Sequence, residues 1–99
     1  MRIERVTDGG KCTLALHGRL DTATAPMLQD AMAAVFGEAQ QVELDFANTE
    51  YISSAGLRVL LVGQKTAQAK GAAMTLTGVS EEIMEVLEMT GFTNILTIV

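Results

Sequence analysis

From Lys11 to His17 apolar and polar residues alternate. Cys12, Leu14 and Leu16 point one way and Thr13, Ala15 and His17 the other, the period of a half-buried strand. Met1–Val6 is shorter and partly alternating and reads as an edge strand. Thr7-Asp8-Gly9-Gly10 lies between the two as a turn, so they predict a hairpin. Gly18-Arg19-Leu20-Asp21 leads out of it. The period then turns helical: Leu28, Ala31, Met32 and Val35 fall at i, i+3, i+4 and i+7, with Phe36 widening the stripe. Thr24 is the expected N-cap, Pro26 suits a first turn, and Gly37 marks the stop. Gln41–Phe46 alternates again, with Val42, Leu44 and Phe46 inward and Glu43 and Asp45 outward. Ala47–Ser53 reads as a connection. A second helix runs from about Ser54 to Lys70 and ends at Gly71. Ala73–Thr77 is a strand with Met74 and Leu76 on one face. Ser80 caps a third helix, with Glu81 and Glu82 at its positive end and Ile83, Val86 and Leu87 as its core face. That helix stops at Gly91, and Ile95–Val99 is a final strand or extended tail.

The order is β-β-α-β-α-β-α-β. One-in, one-out alternation marks a sheet with one wet face; a parallel sheet covered on both sides reads as continuous apolar runs. The expectation is an α+β domain of two layers: a mixed sheet with its helices mainly on one face. Gly18–Ala23 and Ala47–Ser53 sit at strand C-terminal ends and feed helix starts, the edge where such sheets carry their sites.

The length, 99 residues, allows one domain spanning 1–99, and 48% hydrophobic residues supply a core. Twelve acids against seven bases give a net charge of −5. Direct binding to nucleic acid or an anionic membrane is not expected, since both need clustered cations. One Cys closes no intrachain disulfide, no apolar run approaches a membrane span, and Met1–Gly10 lacks a signal peptide's apolar segment, so the expected location is cytoplasmic. One His, one Cys, one Tyr and no Trp leave few parts for catalysis, and neither CxxC, HExxH, GxGxxG nor GxxxxGK[ST] occurs. The expectation is a binding module or switch, not an enzyme, with no cofactor and no metal. Cys12 and His17 face opposite ways on one strand and cannot share an ion. Glu81, Glu82, Glu85 and Glu88 read as a solvated acidic face, and the six Met residues mostly as core filler.

The most informative stretch runs from Asp45 to Leu61. Ser53 and Ser54 stand where a connection turns into a helix, whose start offers free N–H groups and a partial positive charge. One serine can simply cap the helix; a phosphoserine there would add about 1.5–2 negative charges and three acceptor oxygens. The helix that follows is apolar almost all round: Leu57, Val59, Leu60, Leu61 and Val62, broken only by Arg58. Either its start is buried on several sides or part of it is a docking patch beside the serines.

Ile52-Ser-Ser-Ala-Gly-Leu-Arg-Val-Leu-Leu61, preceded by Gly18-Arg-Leu-Asp21, resembles the STAS domain, named for sulphate transporters and anti-sigma factor antagonists. The resemblance covers essentially the whole chain, and Gly91–Val99 resembles the end of the stand-alone antagonists. It implies a STAS fold and a bacterial signalling role in transcription regulation. The unphosphorylated protein binds an anti-sigma factor that is also a serine kinase, and a sigma factor is freed. The kinase phosphorylates a serine at the start of the second helix, the complex parts, and a serine phosphatase resets it. That serine falls on Ser54, with Ser53 as runner-up acceptor. The implied partner surface comprises Asp21, Thr22, Thr24, Ser53, Ser54, Ala55, Gly56, Leu57, Arg58 and Leu61. The family usually carries Asp where Ser53 stands. Asp21 matches a family acid beside the phosphorylated serine; as a loop acid it can equally bond backbone N–H groups. Asp45 is expected near the same edge.

Two rival functions stand beside this one. Stand-alone STAS-like proteins also serve, unphosphorylated, as cytosolic subunits of lipid-transporting ABC systems. A small-ligand site or enzyme could use Asp21, Asp45 and Ser54, although no base to activate the serine is visible.

Overall fold

The computed structural model describes residues 1–99. Its elements are β1 (Arg2–Asp8), β2 (Lys11–Leu20), α1 (Ala25–Phe36), β3 (Gln41–Ile52), α2 (Ser54–Lys70), β4 (Ala73–Thr77), α3 (Glu81–Met89), a 3-10 turn over Phe92–Asn94, and β5 (Thr97–Ile98). The strands form one mixed sheet in the order β1-β2-β3-β4-β5. β1 pairs antiparallel with β2, and every later pair is parallel. Strands β2 to β5 are therefore added in one direction. Because parallel crossovers are right-handed, each connecting helix returns over the same face.

The burial pattern agrees with that topology. Cys12, Leu14, Leu16, Val42, Leu44, Phe46, Met74 and Leu76 turn inward and meet Leu28, Met32 and Val35 of α1, Leu57, Leu60 and Ala67 of α2, and Ile83 and Leu87 of α3 in one core. On the other face Thr13, Ala15, Glu43, Asp45, Thr75 and Thr77 stay part-exposed. The alternation in β2 and β3 is thus the signature of one wet face, as expected.

Helix ends follow local chemistry. Ser80 Oγ accepts from the Ile83 amide at 3.2 Å, and Gly71 closes α2 at φ 68°, where a Cβ would be strained. Thr24 departs from expectation. It adopts helical angles and makes no cap to the helix. Its hydroxyl donates instead to the Arg19 carbonyl at 2.6 Å and accepts from the Asp21 amide at 2.9 Å. Asp21 takes over the turn, its Oδ1 accepting from the amides of Ala23 and Thr24, each at 3.1 Å.

The larger correction concerns the two connections. β2 does not end at His17 but continues to Leu20, and β3 continues from Phe46 to Ile52. The register shifts twice, between Ala15 and His17 and between Gly18 and Arg19, and each shift gives β3 one residue more than β2. These are β-bulges. They stretch the inward spacing of β3 from two to three, so that Phe46, Thr49 and Ile52 are the buried positions. Thr49 is the one buried polar residue. Its hydroxyl donates to the Leu16 carbonyl at 3.1 Å, beside the first bulge, where an unpaired carbonyl would be costly. No helix of the structure is long and apolar enough to cross a membrane.

Candidate functional site

The extended strands carry the site to one end of the sheet. The Ser53 amide donates to the Leu20 carbonyl at 2.9 Å and ties the end of β3 to the end of β2. Ser53 is extended (φ −103°, ψ 176°), and its Oγ accepts from the Gly56 amide at 3.4 Å, a long contact at the geometry of an N-cap. The two serines therefore differ. Ser53 is half-buried and engaged with the helix; Ser54, the first residue of α2, is exposed.

Gly56 explains how the helix start can lie so close to the sheet. A Cβ at this position would sit 2.8 Å from Leu20 Cγ, 2.9 Å from Ile52 Cγ1 and 3.0 Å from the Leu20 carbonyl oxygen. The first turn of α2 rests directly on the ends of β2 and β3, and glycine is the residue that fits. This packing accounts for the apolar ring. Leu57, Val59 and Leu60 are interior, Leu61 is half-buried, and Val62 is exposed. The helix start is buried on several sides, and Gly56 and Leu57, two of the expected contact residues, lie beneath the surface. Thr22, Ser54 and Arg58 are exposed, and Asp21, Thr24, Ser53, Ala55 and Leu61 partly so.

Electrostatics at this end centre on two residues. The Asp21 carboxyl is held below the usual range, chiefly by the Thr24 amide, then by the Thr24 hydroxyl, the Ala23 amide and the Arg19 charge. Asp21 is thus an ionised turn-former; its other oxygen lies 3.7 Å from Arg19 Nε. Arg58 has no carboxylate within 4.0 Å, whereas Arg2, Arg5, Lys11 and Arg19 each have one.

Asp45 is not at this end. It lies seven residues before β3 finishes, on the wet face, with Oδ1 accepting from the Ala47 amide at 2.9 Å. Asp21, Asp45 and Ser54 therefore make no common polar site, and the small-ligand reading loses its constellation. The hollows of the surface are lined by other residues, one between α1 and α2 around Met32 and Gly63 and two at the opposite sheet edge around Lys11 and Gln41. The serine end is a surface rather than a pocket. Cys12 is fully buried, while His17 lies on the opposite face with Nε2 2.6 Å from Glu4 Oε1.

Two residues here escaped the sequence reading. Arg19 and Tyr51 are register partners beyond the bulges. The Arg19 guanidinium stacks over the Tyr51 ring at 4.1 Å from its centroid, with both side chains exposed, the geometry of a cation–π pair. The bulges re-aim both side chains, so strand alternation gives no signal for either.

A one-directional mixed sheet with its helices on one face, and a serine-bearing helix start seated on the ends of its two longest parallel strands, define a STAS domain. The chain belongs to that family: the family model described as "Mlab, STAS domain" matches residues 3–98. The chain is 33% identical over 87 residues to BtrV of Bordetella bronchiseptica, a protein provisionally assigned as an anti-sigma factor antagonist; the match covers 87% of this chain and 75% of that one. It is 27% identical over 96 residues to the anti-sigma-B factor antagonist of Listeria monocytogenes, covering 96% and 82%. Among solved structures it superposes on the anti-sigma factor antagonist SpoIIAA in its unphosphorylated form with a TM-score of 0.79 at 14% identity, covering 99% of this chain and 87% of that one. On the phosphorylated form, from Bacillus, the TM-score is 0.77 at 14% identity, with 99% and 91% covered. At that identity the likeness is one of fold.

Proposed function

We propose that this chain is an anti-sigma factor antagonist. It docks the exposed end of β2, β3 and α2 on an anti-sigma factor that is a serine kinase, and a sigma factor is released. Phosphorylation of Ser54 ends the complex, and a serine phosphatase restores it. The observation that carries the reading is the division of labour between the serines. Ser53 serves as the helix cap, which leaves Ser54 exposed at the first position of α2 with nothing to lose by modification.

The physics of the switch is simple. A phosphate takes the net charge from −5 to about −7. It places that charge on the rim formed by Thr22, Ala55, Arg58 and Leu61, where docking would have to desolvate it. A change of about 4 kcal/mol weakens binding roughly a thousandfold. Ser53 keeps the capping oxygen that the family's usual Asp would supply and omits its charge. The relatives named as antagonists, and the existence of SpoIIAA in both unphosphorylated and phosphorylated forms, support the same reading. The test is phosphotransfer: the host's kinase-type anti-sigma factor with ATP should modify the wild type on Ser54 and leave Ser54→Ala unmodified. Modification at Ser53 instead would overturn the assignment.

One observation favours a second reading. Ser53 stands where the family carries Asp, and the matching family model is the Mlab one. A cytosolic STAS subunit of a lipid-transporting ABC system would use the same surface with both serines unmodified. Recovery of transporter subunits with the tagged chain would establish that alternative.

A further inference from the structure

We propose that Arg58 is the internal counter-charge for a phosphate on Ser54, and that this pairing makes Ser54, not Ser53, the regulated serine. The inference rests on the phosphoserine reading above and adds the residue that receives the phosphate. Ser54 and Arg58 are four residues apart within α2, so both lie on one face of the helix, and both are exposed. An anion four residues N-terminal to a cation is the favoured direction for such a pair. A guanidinium fork also matches phosphate oxygens two at a time.

Arg58 is free for the task. The other arginine of this end, Arg19, is already held between the Tyr51 ring and Asp21; Arg58 has no carboxylate within 4.0 Å. Three and four residues on from Ser53 stand Gly56 and Leu57, which are buried and uncharged. A phosphate on Ser53 would find no side-chain cation one turn along. The pairing has a consequence for the switch. Phosphorylation adds negative charge to the docking surface and also neutralises Arg58, the exposed arginine of this end that has no carboxylate beside it, so both changes weaken the attraction for an acidic patch on the partner.

The test uses the full chain with phosphoserine installed genetically at residue 54 or, separately, at residue 53, so no kinase is needed. Phosphorus-31 NMR titration then reads the second ionisation of each phosphate, near pH 6 for a free phosphoserine. With phosphoserine at 54, Arg58→Gln should raise that ionisation by about 0.3 pH unit, the size of one helical ion pair. Arg58→Lys should restore part of the shift, and about 1 M salt should remove most of it. With phosphoserine at 53, Arg58→Gln should leave the titration within about 0.1 unit, the backbone N–H groups being common to both proteins. Circular dichroism verifies that each variant is folded. An unchanged titration at residue 54, or equal shifts at both positions, would overturn the pairing and leave the kinase reading standing. Failure of the kinase to modify Ser54 would overturn the switch and leave the titration result intact.

Discussion

Replacing Gly56 by alanine tests the seat of α2 most sharply. The added methyl would lie 2.8 Å from Leu20 Cγ, 2.9 Å from Ile52 Cγ1 and 3.0 Å from the Leu20 carbonyl oxygen. The first two atoms belong to buried side chains. The third is backbone, and that same carbonyl accepts the Ser53 amide. Relief therefore needs the helix start to lift off the strand ends. Overpacking of this kind costs about 1–3 kcal/mol, and alanine recovers up to about 1 kcal/mol through helix propensity. A net loss of about 1–2 kcal/mol should lower Tm by roughly 5–15 °C in a domain this small. Gly63→Ala is the internal comparison. Its methyl would also meet atoms closely, at 2.8 and 3.0 Å from Met32 Sδ and Cε and 3.2 Å from Met74 Sδ. Those atoms are the far ends of flexible side chains, so the cost and the propensity gain should nearly cancel. Thermal and urea unfolding followed by circular dichroism read both. If Gly56→Ala were as stable as wild type, or if the two alanine variants fell equally, the argument from the immovable carbonyl would be wrong.

Ser53→Ala should cost about 1 kcal/mol in urea unfolding through the lost cap, Ser53→Asp should retain that stability, and Ser54→Ala should be nearly neutral. The reverse ranking of the two alanine variants would contradict the division of labour between the serines. The Glu43 carboxyl is held below its usual value, first by its hydrogen bond with Lys11 and then by the Thr77 hydroxyl. A carboxylate depressed in the folded state contributes stability that is present above the unfolded pKa and is lost as pH falls through the lower folded one. Below the ordinary glutamate value of 4.5 the wild type should therefore lose more stability than Glu43→Gln does; parallel acid limbs in the two unfolding profiles would refute it.

Much of this architecture was legible because Val42, Leu44 and Phe46 alternate with Glu43 and Asp45, and because Ser53-Ser54 and Gly71 bracket one helical period. The first fact implies a sheet with one wet face, and the second places α2 at Ser54–Lys70. What stayed hidden is tertiary. A bulge adds a residue to one strand relative to its neighbour, and a single strand's sequence carries no record of the neighbour. Ala47–Ile52 thus reads as a loop in the sequence, Asp45 falls within β3 and not at its end, and the pairing of Arg19 with Tyr51 leaves no signal. Thr24 and Asp21 are both competent caps by residue type. The Arg19 carbonyl captures the Thr24 hydroxyl, and that contact decides between them. The apolar start of α2 had two readings until its depth was known: Leu60 is fully buried, while Val62 is 42% exposed.

The central claim is that Ser54 sits in a docking surface whose charge decides binding. Tagged wild type, Ser54→Ala and Ser54→Asp, expressed in the native host and captured in parallel with quantitative mass spectrometry, test it directly. The account predicts that wild type and Ser54→Ala enrich the same kinase-type anti-sigma factor, and that Ser54→Asp loses it, with affinity down by as much as about a thousandfold in purified components. Equal recovery of that partner by Ser54→Asp, or recovery of transporter subunits by all three proteins, would contradict it.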